Sequence, residues 1–430
     1  MRILMATRGS HGDVRPYVAL ALGLKKAGHE VQIATTEEHI EFVNSFGIEF
    51  VSMNWEFPNF ETYVLKKNIF NIRTLNEIAY LSDDLKIENS MLAQLWQACQ
   101  KAEAIIFNAP AYPCYYIAEK LGIPCYMAPM QPHHQTRDFH NWIMPPFRLK
   151  FLKNIYNWFS YPLFDLIFWL HIRPTINKWR QETLNLLPLP VLAGLLRKIQ
   201  QQKLPTIYSF SPLISKPSEW EEYVHLTSYW FLDTSENWQP STNLRNFLSK
   251  GLPPIYISKI WDNNHHQFTK EVLLEISALT GRRIIVHSSD ADEAKDAEFT
   301  DKLFFIDGLI PHEWLFSKMA VVVHHGGLGT IMSSLRAGIP SIAIPFLFLT
   351  DQEFWTTQLA QSGLGIDFIL QDEDELSAQK LAAVIQSAIN DQAMQTRLIE
   401  VSNKIKKEDG VQQAIEAFHQ HLDKYTSLQV

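Results

Sequence analysis

Short apolar runs, each stopped by a glycine or polar turn and followed by a helical stretch, recur in two blocks along this chain, and that alternation is its strongest constraint. "RILMAT" (2–7) enters the glycine loop "RGSHGD". From Asp13 onward Val14, Val18, Ala21 and Leu22 fall on one helical stripe. Pro16 sits in the first turn, where a missing N–H costs little, and Gly28 closes the helix. "EVQIAT" (30–35), "IEFVSM" (48–53), "EAIIFNA" (103–109) and "IPCYMAP" (123–129) carry the pattern on. A second block starts near 253 with "PPIYIS", then "RRIIVHS", "LFFIDG", "MAVVVHH" and "IPSIAIPF". Such alternation predicts parallel, doubly wound α/β sheets. Between the blocks "FLDTSENWQPSTN" (231–243) is polar with a proline and reads as a linker. A chain of 430 residues suits two domains, expected over 1–235 and 236–410. A last helix, 411–430, carries one apolar stripe, Val411, Ala414, Ile415, Phe418 and Leu422, that has to pack on something.

Composition removes several classes. With 46% hydrophobic and 20% charged residues a packed core is expected. A formal net charge of -8 argues against a general nucleic-acid binder. Cys99, Cys114 and Cys125 form no C-x-x-C pair, so neither a disulfide framework nor a zinc site is expected, and a reducing, cytoplasmic setting fits. "MRILMAT" passes straight into a strand pattern without a leader's apolar region. The best membrane-span candidate, 154–171, is interrupted by Pro162 and Asp165. "DAD" at 290–292 lies in an acidic stretch and reads as a solvated charge cluster, so no metal is expected.

The densest motif is "VVVHHGGLGT" (321–330). A strand ends at His324 and His325, and Gly326, Gly327 and Gly329 then let backbone N–H groups come close to an anion. Thr330 adds a hydroxyl, and a histidine at the helix start can donate to a phosphate oxygen. The competing reading is a tight turn whose histidine is satisfied by backbone. The pattern is not G-x-x-x-x-G-K-[ST], so a Walker-type ATPase is unsupported.

"PHEWLFSKMAVVVHHGGLGTIMSSLRAGIPSIAIPF" with "DQEFW" resembles the donor-binding half of the UDP-glycosyltransferase superfamily, and most of all sterol glucosyltransferases and glycosyltransferases of glycopeptide antibiotics. "RGSHGDVRPYVALALGL", "AGHEVQIATTEEH", "EKLGIPCYMAPMQP", "RPTINKWR" and "YWFLD" match the same group, from residue 1 to about 420. The resemblance implies a GT-B fold: two Rossmann-like β/α domains facing across a cleft, acceptor in the first, nucleotide sugar in the second, the last helix packing back on the first. It implies an inverting transfer of a hexose, glucose foremost, to a hydroxyl of a lipophilic acceptor such as a sterol, lipid or secondary metabolite. The donor would be UDP-glucose or a TDP-sugar, used as substrate with no further cofactor.

Position by position, His325, Gly326, Gly327, Gly329 and Thr330 match the family's diphosphate loop. Asp351 and Gln352 match the pair that holds the transferred sugar, with Trp355 as the aromatic after it. Pro311, His312 and Trp314 lie where the nucleobase is received. Asp13 matches the base proposed in this subgroup, a role that needs a carboxylate whose pKa is raised by partial burial. An aspartate there also serves as a helix N-cap, and the two roles can coexist. His11 reads equally as a proton relay or a solvated loop histidine. The acidic partner used elsewhere in the superfamily is missing from "IIFNAPAYPCYY", where Asn108 takes part of its place.

Residues 148–203 carry nine Lys/Arg and two Asp/Glu and are dense in aromatics. The favoured reading is the wall of an apolar acceptor pocket. The others are core, and peripheral contact with an anionic membrane through Lys150, Lys153 and Arg173. Two features depart from the family. Ser258, Lys259, Ile260 and Trp261 replace a glycine-rich turn beside the phosphates, so Lys259 could supply charge and Trp261 could cover the sugar or base. "PFLFLTDQ" is about two residues longer than the family's spacing before Asp351. They keep open an alternative, a catalytically degenerate GT-B protein acting as a binding or auxiliary partner.

Overall fold

The computed structural model describes residues 1–54, 89–144, 150–233, 238–258, 269–287, 301–306, 308, 310–345, 351–368 and 377–427. The chain divides into two compact units, Met1–Leu232 with Asp409–Val430, and Asp233–Glu408.

The first unit is built on seven parallel strands: β1 (Arg2–Ala6), β2 (Glu30–Thr35), β3 (Glu49–Ser52), β4 (Ala104–Phe107), β5 (Cys125–Met127), β6 (Thr206–Tyr208) and β7 (Val224–Leu226). Their order is β3-β2-β1-β4-β5-β6-β7, which reverses direction between β1 and β4. Side chains alternate across a strand, so each strand feeds two cores. Ile3, Met5, Ala104 and Ile106 join one, under the first helix His11–Lys26 and the terminal helix Gly410–Ser427. Leu4, Ala6, Ile105 and Phe107 join the other, under helices Asn89–Cys99, Pro113–Leu121 and Lys153–Glu182. The terminal helix lies close on the first because Gly23 leaves room: a Cβ there would stand 2.9 Å from Ile415 Cδ1 and would strike Val411. Its apolar stripe, Ala414, Ile415 and Phe418 with Val411 and Leu422 at the edge, faces that contact.

The second unit has six parallel strands: β8 (Ile255–Ser258), β9 (Ile284–His287), β10 (Leu303–Ile306), β11 (Val321–His324), β12 (Ser341–Ala343) and β13 (Gly365–Asp367). The order β10-β9-β8-β11-β12-β13 repeats the first sheet's logic, with its reversal between β8 and β11. Ile255, Ile257, Val321 and Val323 point to one core, Tyr256 and Val322 to the other.

Two expectations are corrected. The first helix starts at His11, with Ser10 as N-cap, two residues before the expected Asp13. Asp13 is therefore not the cap but the third helical residue, accepting the Ser10 backbone N–H (2.8 Å) and hydroxyl (3.0 Å) on Oδ2. In the long helix Lys153–Glu182 Pro162 does not interrupt the backbone. Proline removes an N–H that would have bonded Trp158 O, and the Gln135 side-chain amide donates to that carbonyl instead (2.8 Å).

Candidate active site

Ligands of open α/β sheets sit beyond the carboxyl ends of the strands, where the order reverses. In the second unit that place is the end of β11. The two histidines there part company. His324 is fully buried, and its Nδ1 accepts the Gly326 N–H at 3.0 Å. Nδ1 is thus unprotonated, and Nε2–H donates to Ser341 Oγ on β12. Burial holds the His324 pKa well below its usual value, so the neutral ring is a fixed strut for the glycine loop.

His325 turns the other way, across Gly327, where a Cβ would come within 2.6 Å of His325 Nε2. Burial pushes its pKa down to about 4, so at neutral pH it offers a neutral imidazole. Helix Leu328–Ala337 then starts with Gly327 as N-cap, which has no side chain to cap it. Its first-turn N–H groups and dipole favour an anion beside His325, Gly329 and Thr330.

Gly326 ties this loop to the sugar-side residues. Its φ is +92°, and a Cβ there would stand 3.1 Å from Gln352 O and collide with Thr356 Oγ1. The start of helix Asp351–Gln361 therefore lies directly against the glycine loop. Gln352 is buried. Trp355 is fully buried and donates its indole N–H to Asp351 Oδ2 (3.2 Å), so it orients that carboxylate from below.

Pro311 is the N-cap of helix His312–Phe316, which follows β10 at the same sheet edge. The His312 ring stacks on Phe316 with centroids 4.5 Å apart, and it is near enough to His324 to help depress that pKa. Trp314 meets Trp238 edge-on at 5.1 Å, with Lys318 Nζ 4.3 Å over its ring. Sequence reasoning missed what stands behind His312: Tyr256 O–H donates to His287 Nδ1 (2.9 Å) while His287 Nε2 donates to Gly308 O (2.9 Å). The signal was a polar residue ending each of β9 and β11, His287 and His324.

The first unit's reversal point lies between β1 and β4. Gly9 has φ +154° and passes so close under Asp13 that any Cβ would strike its carboxylate. Asn108, after β4, is buried and stitches this loop to its neighbour. It accepts Arg8 N–H (3.2 Å) on Oδ1 and donates Nδ2 to Thr7 Oγ1 (3.0 Å) and Arg8 O (2.8 Å). Its work is to fix the backbone ahead of Asp13. His11 packs edge-on against Phe42 (4.3 Å), with His39 6.2 Å away. Burial, with Arg15 and His39 adding to it, lowers the His11 pKa to about 4, and Nε2 is buried without a hydrogen-bond partner among the described residues.

The loop after β5 folds round Tyr208, whose oxygen accepts His133 N–H (2.8 Å) and His134 N–H (3.1 Å) and whose O–H donates to His134 Nδ1 (2.7 Å). Burial lowers His133 to about 4 and His134 to about 3. Lys259, Trp261, the acidic stretch at 290–292 and residues 346–350 lie outside the described residues.

Two units, each built on a Rossmann-ordered parallel sheet, make up the GT-B class of glycosyltransferase folds. Residues 3–138 match the glycosyltransferase family 28 N-terminal domain, and residues 270–414 match the erythromycin biosynthesis protein CIII-like C-terminal domain. Among solved structures, the glycotransferase of kitacinnamycin superposes with a TM-score of 0.67 at 16% identity, over 97% of this chain and 98% of that one. The glycosyltransferase VinC in complex with DTDP gives 0.66 at 17%, over 98% of this chain and 100% of that one. At such identities these likenesses bear on the fold alone. A sterol 3-beta-glucosyltransferase of Sclerotinia sclerotiorum is 31% identical over 100% of this chain and 30% of its own length. One from Saccharomyces cerevisiae is 33% identical over 97% of this chain and 35% of its own length. The chain thus spans about a third of the curated relatives it matches. Both matched stretches are glycosyltransferase-type domains, and sterol 3-beta-glucosyltransferases are among the chain's relatives.

Proposed function

We propose that the chain is an inverting glycosyltransferase that moves a hexose, glucose foremost, from a nucleotide diphosphate to a hydroxyl of a lipophilic acceptor of the sterol or lipid kind. The observation that carries this reading is the junction at Gly326, where a glycine-capped helix end, the neutral His325 and the Asp351–Gln352 helix start meet. A diphosphate fits the first two, and the hydroxyls of its sugar fit the third.

In this mechanism Asp13 takes the acceptor's hydroxyl proton as that oxygen attacks the anomeric carbon in line, and the C–O bond to the diphosphate breaks. The leaving oxygens gain charge as the bond breaks, and His325 N–H, the Thr330 hydroxyl and the helix dipole are in place to receive it. UDP-glucose is the proposed donor and a TDP-sugar the second choice; Pro311, His312 and Trp314 are the proposed base-side contacts. An acceptor of this kind resides in membranes, so the chain is proposed to work there as a peripheral protein. The test is incubation with UDP-glucose or TDP-glucose and a sterol in mixed micelles, followed by mass spectrometry and NMR. A β-glucoside with stoichiometric nucleoside diphosphate is expected. Absence of product from both donors with sterol and other lipid alcohols contradicts the reading.

A further inference from the structure

The helix Lys153–Glu182 buries Tyr161, Phe164, Phe168, Trp169 and Trp179 and leaves its opposite side bare. Twelve large apolar side chains are exposed among the described residues, and eight of them lie between 151 and 192. Scattered exposed leucines need no explanation, whereas a contiguous patch marks a surface that meets something apolar. Ile155, Phe159, Leu163 and Leu170 fall on one face at about 100° per residue, continuing from Phe151, which is 80% exposed. Beside them Leu187 (83%), Val191 (46%) and Leu192 (66%) project from the segment after the helix. That segment is strapped down by its backbone: Arg180 Nε donates to Leu187 O (3.0 Å), Asn177 Nδ2 to Leu189 O (3.0 Å) and Trp169 Nε1 to Pro190 O (3.0 Å). The apolar side chains are thereby held outward.

Charge says what covers this surface. Lys153 and Lys178 are exposed at one edge of the apolar face. The acid in mid-helix, Asp165, is turned inward, accepting Leu196 N–H (2.8 Å) and Arg197 N–H (3.0 Å) at the start of helix Leu195–Gln201. Residues 183–194, "TLNLLPLPVLAG", contain no charged residue. A bare apolar face with a basic rim and no exposed acid until Glu182 suits the headgroup boundary of an anionic bilayer. No described helix is long and apolar enough to cross a membrane.

We propose that the outer face of Lys153–Glu182, with Leu187 and Leu192, docks the chain on anionic lipid bilayers. The proposal deepens the reading of a membrane-borne acceptor and rests on it for its purpose, but lipid binding itself needs neither donor nor acceptor. The test is co-sedimentation with phosphatidylcholine vesicles, with and without phosphatidylserine, in the absence of nucleotide sugar. The parent is expected to pellet with the serine-lipid vesicles and to be released by salt. The triple variant F151D/I155D/F159D and the loop variant L187D/L192D are expected to lose affinity, the triple on the order of a hundredfold. K153E/K178E is expected to remove the preference for anionic lipid. Circular dichroism and UDP binding, read on each variant, report separately on folding and on the donor site. A parent that stays in the supernatant with both vesicle types, or variants that pellet as the parent does, overturns the proposal. So does a parent dimer that the triple variant dissolves without any vesicle binding, which would make the face a contact between copies.

Discussion

At the reversal point of the first unit the opening helix is closed by its own residues: Ser10 caps it and Asp13 returns a carboxylate to Ser10. At the reversal point of the second unit the helix opens on Gly327, an N-cap residue with no side chain of its own to close it. Apart from the first sheet's seventh strand the strand orders are the same, so topology does not decide what each site takes. The first helix end already carries a fixed negative charge, which repels an anion and suits removal of a proton from a neutral alcohol. The second starts on a glycine and carries no such charge on its cap, so its dipole suits a diphosphate. Under the proposed function, one architecture yields an acceptor end and a donor end according to what caps its helix start.

Asp13→Asn breaks the first half of that comparison most severely. Turnover should fall by about 10² to 10⁴, the usual cost of removing a general base, while nucleotide binding stays at the parent value. Steady-state rates with calorimetric UDP binding check it; turnover within a few-fold of the parent would leave Asp13 as a capping residue only.

Gly326→Ala attacks the other side. The left-handed φ and the contact with Gln352 O leave no place for a Cβ, so stability should drop by about 1–3 kcal/mol in denaturant titrations, with loss of UDP binding. An unaltered midpoint and affinity would mean that the loop and the 351–361 helix are not joined as described.

Acid sharpens the comparison between the units. Among the described residues seven histidines with lowered pKa lie in the first unit (His11, His29, His133, His134, His140, His225 and His421) and two in the second (His324 and His325). A histidine at about 4 in the fold and about 6.5 in the unfolded chain is neutral when folded, so the unfolded chain binds more protons between those values. Stability is present above pH 6.5 and is lost as pH falls toward 4, by up to about 1.4 kcal/mol per pH unit for each such group. Calorimetric scans from pH 7 to 5 should lower the first unit's transition more than the second's. Replacing His133 and His134 by Asn should flatten that dependence, and an unchanged slope would contradict it.

The parallel strands and the glycine loop were legible because their signals are local: a valine run, then glycines, repeated. Strands β6, β7 and β13 were not: they are as short as β5 and β12, but Thr206, His225 and Asp367 break the apolar run that marks those two. The S-x-x-D pattern at Ser10–Asp13 held the true helix start, but Asp13 drew attention as a cap in its own right. Adjacent His324 and His325 look alike in sequence, and only the strand's in–out alternation separates the strut from the ligand-side ring. Helix continuity through Pro162 depends on Gln135, which no local pattern reveals. The pairing of the glycine loop with Asp351–Gln352 is likewise a tertiary fact, set by Gly326 against Thr356.

Calorimetric binding of UDP and TDP to the parent and to His325→Ala tests most directly whether the glycine-capped helix end beside His325 is the donor-phosphate site. One nucleotide should bind the parent, and the substitution should weaken it about ten- to a hundredfold, the value of one hydrogen bond to a charged group. Binding of neither nucleotide, or equal affinity in both proteins, would contradict it.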